Sequence, residues 1–177
     1  MTRDILSKEE ERDKVISSAY SAVKHILAMK DDGKRIRKIK KKLLTIMLWI
    51  ITEADGLTAK QRTNYKYKLT YRSEDTINKI DQLGEKGENS PDYIKGLIHE
   101  HVYTRNGLVN ELLMSSQNTD SILKKAIGCV VSKDEDKRLR KIDKIRNTDK
   151  SRKFEGWNRY REARIKVRNT KTKVWEI

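Results

Sequence analysis

The sequence predicts an α+β fold: a helix-rich single domain with a small β-hairpin or sheet. Two long stretches carry apolar residues every three to four positions, and several short runs alternate between apolar and polar residues. Charged residues make up 38 % of the chain and apolar residues 36 %, with a single proline, a composition that suits helices around a modest core. At 177 residues we expect one domain, with a helical hairpin (1–55), an α+β core (56–145) and a basic C-terminal extension packed on the core (146–177).

Two amphipathic helices are predicted for the hairpin. Ser7 and Glu10 form a capping-box pattern, and the apolar period that follows predicts a helix to about Lys30. The sequence Asp-Asp-Gly at 31–33 breaks this helix, and the same period then continues to about Glu53.

Three strands and further helices are predicted for the core, and the central strand is the apolar run 96–105. The run 65–72 alternates at period two, which predicts a strand with Tyr65, Tyr67, Leu69 and Tyr71 facing inward and Lys66, Lys68, Thr70 and Arg72 facing outward. Ser73 is predicted to cap a short helix, and 84–92 to form a loop. After the apolar run 96–105 come two short helical segments, a strand from Ile127 to Val131, and a helix that Ser132 and Glu135 open as a capping box and that ends near Ile145.

The net charge of +15, with a pI near 9.8, indicates an anionic partner. Nucleic acid is the leading candidate, because a field of this sign draws polyanions. An anionic membrane surface or an acidic protein is also compatible with the charge alone. The sequence has no apolar run of a membrane span and no signal peptide at its start, so we expect a cytoplasmic protein without a membrane partner. The lone Cys129 is expected to be a buried thiol.

Eight basic residues are candidates for contacts with nucleic acid. They lie at the start of the second helix, on the alternating strand, after the central histidines and in the C-terminal extension: Lys38, Lys41, Lys66, Lys68, Arg72, Arg105, Arg159 and Arg161. The alternative for the second helix is an ordinary solvated face, and for the extension a tail docked only for stability.

The stretch from Gly96 to Arg105 contains two of the three histidines in the chain. Alternation places Leu97, His99 and His101 on one side of a strand and Ile98 and Glu100 on the other. At the end of the strand this alternation relaxes, so that Glu100 and His101 could reach one site as an oxygen ligand and a neutral imidazole. The alternative is that these are half-exposed strand residues beside basic side chains.

The segment Glu100-His101-Val102, followed by a second strand and a helix, resembles the core of the HNH (ββα-metal) nucleases, of the restriction or phage-defence kind. The resemblance covers about a third of the chain, from Ile94 to Ile145. It implies that His101 is the general base and that Glu100 is a metal ligand. Glu135 or Asp136, with Asp136 favoured, would be the ligand from the helix, and His99 would either be a further ligand or orient the site. The implied cofactor is a divalent ion, Mg²⁺ or Mn²⁺, or another transition metal.

Three functions are therefore compatible with the sequence. The resemblance implies a metal-dependent endonuclease that hydrolyses DNA phosphodiester bonds, and a homodimer would suit cleavage of both strands. A non-catalytic DNA- or RNA-binding regulator or phage accessory protein explains the charge equally well. A protein that blocks a host factor would instead have an exposed apolar or mixed patch. The sequence contains no P-loop, dinucleotide-binding or G-x-S-x-G motif, which argues against several other enzyme classes.

Overall fold

A computed structural model describes residues 7–30, 33–57, 68–84, 91–148 and 155–177. In chain order its elements are α1 (Lys8–Ala28), α2 (Lys34–Leu57), β1 (Tyr71–Ser73), α3 (Glu74–Leu83), α4 (Pro91–Ile94), β2 (Leu97–His101), α5 (Arg105–Met114), a short 3₁₀ helix (Ser116–Asn118), α6 (Thr119–Leu123), β3 (Gly128–Ser132), α7 (Lys133–Thr148), α8 (Trp157–Glu162) and β4 (Val167–Asn169). The predicted α+β class is confirmed.

The described strands form one mixed sheet in the order β2-β3-β1-β4. β2 and β3 are antiparallel, with Leu97 opposite Ser132 and His101 opposite Gly128. β1 is parallel to β3 and antiparallel to β4. The antiparallel pair β2 and β3 is followed directly by α7, so the chain contains the predicted strand-strand-helix order.

Among the described residues, three apolar clusters hold the elements together. The largest is helical and joins α1, α2, α5 and α6 around residues such as Val23, Leu48 and Leu112. The second lies on one face of the sheet, under α7 and α8. The third lies on the opposite face, under α3 and α4. The helical hairpin therefore has its own core beside the sheet, and the end of β2 lies where the two parts meet.

Helix ends match the predicted capping signals. Ser7 and Glu10 form the capping box of α1, and the Ser73 side chain accepts a hydrogen bond from the backbone N–H of Thr76 at the start of α3. At α7 the backbone N–H of Glu135 donates to Ser132 Oγ, and the Ser132 N–H donates to Glu135 at 2.8 Å. Short polar side chains here bond the first N–H groups, which have no partner within the helix.

The strand predicted for 65–72 is wrong in part. Residues 65–67 lie outside the described residues, 68–70 are not in a strand, and the strand begins only at Tyr71. Its partner β4 has only three residues, so the ladder that β1 can form is short. The outward position predicted for Arg72 is also wrong, because Arg72 is buried and its Nε donates to the Leu69 carbonyl at 3.2 Å.

No helix in the described part of the chain combines the length and apolar character that crossing a bilayer requires. Cys129 is a buried free thiol, as expected, and burial raises its pKa well above the ordinary value.

Candidate functional site

A cleft of about 310 Å³ opens between α2, the end of β2 and the start of α5. It is lined by Thr45, Glu100, His101, Thr104, Arg105 and Asn106. The cleft is therefore lined by part of the histidine-containing stretch that the sequence singled out, together with Thr45 of the basic helix α2.

The alternation predicted for β2 is confirmed. Leu97 packs in the cluster under α3 and α4, while Ile98 packs on the opposite face. The rings of His99 and His101 lie side by side, with centroids 4.9 Å apart. At the end of the strand Glu100 and His101 nevertheless border the same cleft. That the two side chains act in one site stays a prediction.

His101 is neutral at physiological pH. Burial, together with the neighbouring charges of His99, Arg105 and Arg159, lowers its pKa to about 3. Its Nδ1 is buried and has no hydrogen-bond partner among the described residues. A neutral imidazole can accept a proton, but a general base works best when its pKa lies near the working pH. In the free protein His101 is therefore a weak base.

Glu100 is bound by a cation of the protein itself. Arg159, on α8 and only 2 % exposed, donates from Nη2 to Glu100 Oε1 and from Nη1 to the His101 carbonyl at 3.1 Å. Its Nε lies 3.2 Å from Asp143 Oδ1 on α7. The guanidinium thus lies between two carboxylates, where it neutralises the oxygen ligand that the resemblance assigns to a metal.

Asp136 lies in the first turn of α7 and pairs with Arg140 at 2.8 Å. Because α7 begins where β3 ends, beside Leu97, this turn is at the far end of the sheet pair from His101. Asp143, two helical turns later, is the α7 carboxylate that shares Arg159 with Glu100. Among the described residues no three histidine, cysteine or acidic side chains group as a metal site. His99, Glu100 and Asp136 are therefore not assembled around one ion, and the metal stays a prediction.

His99 forms a contact that the sequence did not reveal. Its Nδ1 lies 2.7 Å from Oε1 of Glu53, and the two side chains are 9 % and 2 % exposed. Glu53 is near the end of α2 and was interpreted only as the limit of an amphipathic helix. The sequence signal for this contact is a carboxylate within the mostly apolar run 50–54, since a carboxylate is buried only when it has a partner.

The basic start of α2 is exposed. Its first nine residues include the exposed cations Lys34, Arg35, Arg37, Lys38, Lys41 and Lys42, and none of these has an ion pair with a described residue. Lys38, Lys41 and Thr45 are spaced by three and four residues, which places them on one side of the helix. Because Thr45 lines the cleft, these lysines form a row that leads to it.

The remaining predicted contacts with nucleic acid differ in accessibility. Arg105 is exposed at the cleft and Arg161 is exposed on α8, where it donates to the Asn158 side chain. Lys68 is half-buried, and Lys66 lies outside the described residues. Arg159 is buried, as is Arg72, so the two arginines cannot reach a phosphate in this conformation. Their guanidinium groups instead bind protein oxygens.

Comparison of the chain with protein-family models, with curated proteins and with solved structures finds no match in any of the three.

Proposed function

We propose that the protein binds nucleic acid through the phosphate backbone, along the basic side of α2 and into the adjacent cleft. The observation that supports this most strongly is the row of exposed α2 cations that ends at the cleft beside Arg105. We expect the protein to act in the cytoplasm, with DNA favoured over RNA.

Charge supplies the first argument. The net charge of +15 includes a group of α2 cations without acidic partners among the described residues. When such a group contacts phosphates, cations condensed on the nucleic acid are released, and this release contributes favourable free energy to binding. Contacts of this kind fix the position of a duplex or strand without reading its sequence.

The start of α5 supplies the second argument. No acidic residue lies in its first turn, and Thr104 makes no side-chain hydrogen bond as its N-cap. The first N–H groups and the positive end of the helix dipole favour an anion. Arg105 and Asn106 border the same cleft and add a cation and an amide donor. A backbone phosphate entering from the α2 row would meet all of these groups.

Binding can be tested by fluorescence anisotropy with labelled double-stranded DNA, single-stranded DNA and RNA. We expect Lys38→Gln/Lys41→Gln to weaken binding about tenfold, at roughly 0.7 kcal/mol for each lost phosphate contact. The matched control is Lys141→Gln/Lys144→Gln, which removes the same charge from exposed positions on α7. Equal losses from the two variants would contradict a binding surface on α2, and a preference for anionic vesicles over all three nucleic acids would contradict the proposed partner.

Hydrolysis of the bound phosphodiester is a second candidate function. It is favoured by the order β2, β3, α7 with His101 at the end of the first strand and bordering the cleft. A bound phosphate is negative and would raise the pKa of His101 from about 3 toward the range of an effective base. His101 would then accept the proton of an attacking water. Glu100 and Asp136 are not arranged to hold a metal for this step.

Hydrolysis can be tested with supercoiled plasmid, single-stranded DNA and RNA, each with Mg²⁺, Mn²⁺ or EDTA. We expect cutting by the unaltered protein and by His25→Ala, whose histidine is on α1, and a loss of at least about a hundredfold in His101→Ala. Binding without cutting in every condition would leave the first proposal in place and rule out the second.

A further inference from the structure

An exposed aromatic ring lies near the end of the chain, outside the apolar clusters described above. Trp175 is 45 % exposed and the preceding Val174 is 57 % exposed. Neither residue belongs to the three apolar clusters of the described residues. Tryptophan offers a large apolar surface for contacts with other molecules, and here much of that surface is not used by the core. The indole ring is therefore available to a partner.

A short β-hairpin fixes the backbone on both sides of this ring. β4 pairs with the segment that follows it, because the Asn169 N–H donates to the Val174 carbonyl at 2.9 Å and the Glu176 N–H donates to the Val167 carbonyl at 2.9 Å. At the tip, the Asn169 side chain accepts hydrogen bonds from two backbone N–H groups of the turn. We call residues 167–176 the C-terminal hairpin. Its hydrogen bonds set the position of the ring before any partner binds.

One face of the C-terminal hairpin combines the ring with cations. Arg168 is paired with Trp175 across the hairpin, so the two side chains lie on the same face. The Arg168 guanidinium is 5.7 Å from the centroid of the ring, a cation–π contact that helps to orient the indole. Val167 is buried, whereas Lys166 and Arg168 on either side of it are not. Alternation along the strand therefore places Lys166 on this outer face as well.

The sequence around the ring is strongly basic. From 163 to 175 the chain has five cations and no acidic residue: Arg164, Lys166, Arg168, Lys171 and Lys173. The neighbouring acidic groups are Glu74, which pairs with Lys166 at 3.4 Å, and Glu176, which follows the ring. Single-stranded nucleic acid has the two matching features, since unpaired bases stack on aromatic rings and phosphates attract cations.

We infer that the C-terminal hairpin binds single-stranded nucleic acid, with an unpaired base stacked on Trp175 and the adjacent phosphates contacted by the cations around the ring. The bases of a duplex are already paired and stacked on each other, so the ring distinguishes single strands from duplexes. The basic side of α2 contacts only the backbone and accepts either form. The inference rests on the proposed function and adds to it a second surface with a preference for unpaired bases.

The exposed apolar area of the C-terminal hairpin favours a base over a membrane surface. Binding at a bilayer interface scales with the apolar area that is buried among the lipids, and it usually involves a broad apolar face. Within this hairpin the large apolar residues with an exposed side chain are Val174 and Trp175. One ring among several cations suits a stacked base, which needs only a single aromatic face.

Binding is measured by fluorescence anisotropy of the full chain with three labelled probes: an oligothymidylate strand, the same strand with abasic positions in place of the bases, and a duplex of equal length. We expect Trp175→Leu to weaken binding of the oligothymidylate at least about fivefold, from the loss of one stacked base. Binding of the other two probes should change less than about twofold, because their phosphate contacts remain. Trp175→Tyr, which keeps an aromatic ring, should retain most of the affinity. Met114→Ala removes an exposed apolar side chain from α5 and should have no effect.

Tryptophan fluorescence gives a second measurement that does not depend on the folding of Trp175→Leu. The chain has three tryptophans, and we expect oligothymidylate to quench the emission of the unaltered protein. The quenching should be lost in Trp175→Tyr, although this variant still binds. Absence of quenching in the unaltered protein would overturn the inference. So would equal losses of affinity for the strand and the duplex in Trp175→Leu, or a blue shift with phosphatidylserine vesicles and no response to the strand.

Failure of the proposed function has a different signature. If Lys38→Gln/Lys41→Gln binds the duplex as tightly as the unaltered protein, the α2 surface is contradicted. If Trp175→Leu keeps its full affinity for the oligothymidylate while the α2 variant is weakened, the inference about the hairpin is overturned and the α2 surface is retained.

Discussion

Arg159 connects three elements through one side chain. Its guanidinium contacts Glu100 and the His101 carbonyl on β2 and Asp143 on α7, and the side chain is itself part of α8. Removing a buried cation leaves its carboxylate partners uncompensated, and the loss is larger than the net contribution of the ion pair. The end of β2, and with it the wall of the cleft, therefore depends on a residue from the C-terminal extension.

We expect Arg159→Met to lower the free energy of unfolding by about 3 kcal/mol, as measured by urea denaturation. Arg161→Met, on the exposed side of the same helix, should change it by less than about 0.5 kcal/mol. The double variant Arg159→Met/Glu100→Gln should recover part of the loss, because it removes one unpaired carboxylate. Similar costs for the two arginine variants would contradict the bridging role of Arg159.

The low pKa of His101 predicts a dependence of stability on pH. Its pKa is about 3 in the folded protein and about 6.5 when unfolded. Between these values the unfolded chain binds a proton that the folded chain does not, so the free energy of unfolding falls as the pH falls from 6.5 toward 3. Titration of His101 changes the free energy of unfolding by at most about 1.4 kcal/mol per pH unit.

We expect His101→Asn to reduce this acid sensitivity, measured by urea denaturation at pH 7, 6, 5 and 4 in EDTA. His25→Asn should keep it, because His25 is exposed. If the unaltered protein and His101→Asn lose stability in parallel on acidification, the imidazole of His101 does not titrate as the structure indicates.

The site residues show what local sequence can reveal. Period-two alternation predicted that His99 and His101 share a face of β2, because it depends only on neighbouring residues. The partner of His99 lies 46 residues away, at Glu53, and that of Glu100 lies 59 residues away, at Arg159. No local pattern specifies such pairs, so Arg159 was interpreted as a phosphate contact although the fold buries it.

Among the elements, β1 and β3 are parallel strands that each lead into a helix capped by serine. Glu135 joins the two caps: its Oε2 accepts from Ser73 Oγ at 2.5 Å and from the Ser132 N–H at 2.8 Å. Burial raises the pKa of this carboxyl, against the lowering effect of the Ser73 hydrogen bond. One side chain therefore fixes the starts of α3 and α7 relative to each other.

We expect Glu135→Ala to lower the free energy of unfolding by about 2 to 3 kcal/mol, because the substitution leaves buried hydrogen-bond donors unpaired. Glu10→Ala, in the exposed capping box of α1, is the matched control and should lower the free energy of unfolding by clearly less than Glu135→Ala. Both values can be taken from urea denaturation of the two variants. Equal costs would show that Glu135 acts only as an ordinary cap.

The elements were predicted unevenly for a physical reason. α1 and α2 repeat one apolar period over several turns, and their capping or breaking residues are local, so their existence followed from the sequence. The strand was predicted to begin before Tyr71, where β1 actually begins. The length of a strand depends on the strands that pair with it, and β4 has only three residues. The helical insertion between β2 and β3 was predicted. Its packing on α2 through Leu108 and Leu112 was not predicted, because this packing joins residues that are far apart in the sequence.

For the molecule as a whole, the excess of positive charge predicts how binding responds to salt. If binding depends on displacement of counterions from phosphates, the logarithm of the association constant falls linearly with the logarithm of the salt concentration, with a slope of about −0.9 for each phosphate contact on duplex DNA. An interface that depended mainly on apolar burial would show a much smaller slope, because the hydrophobic contribution needs no ion release.

We expect Lys38→Gln/Lys41→Gln to make this slope less negative by about 1.8, from two lost contacts, in anisotropy titrations between 50 and 300 mM salt. Lys141→Gln/Lys144→Gln changes the net charge equally, so a slope set by net charge alone would change to the same extent in both variants. A change confined to the α2 variant would show that phosphates contact that row of lysines, since counterion release counts contacts rather than total charge. The comparison thus separates a bound strand on α2 from general attraction to a basic protein.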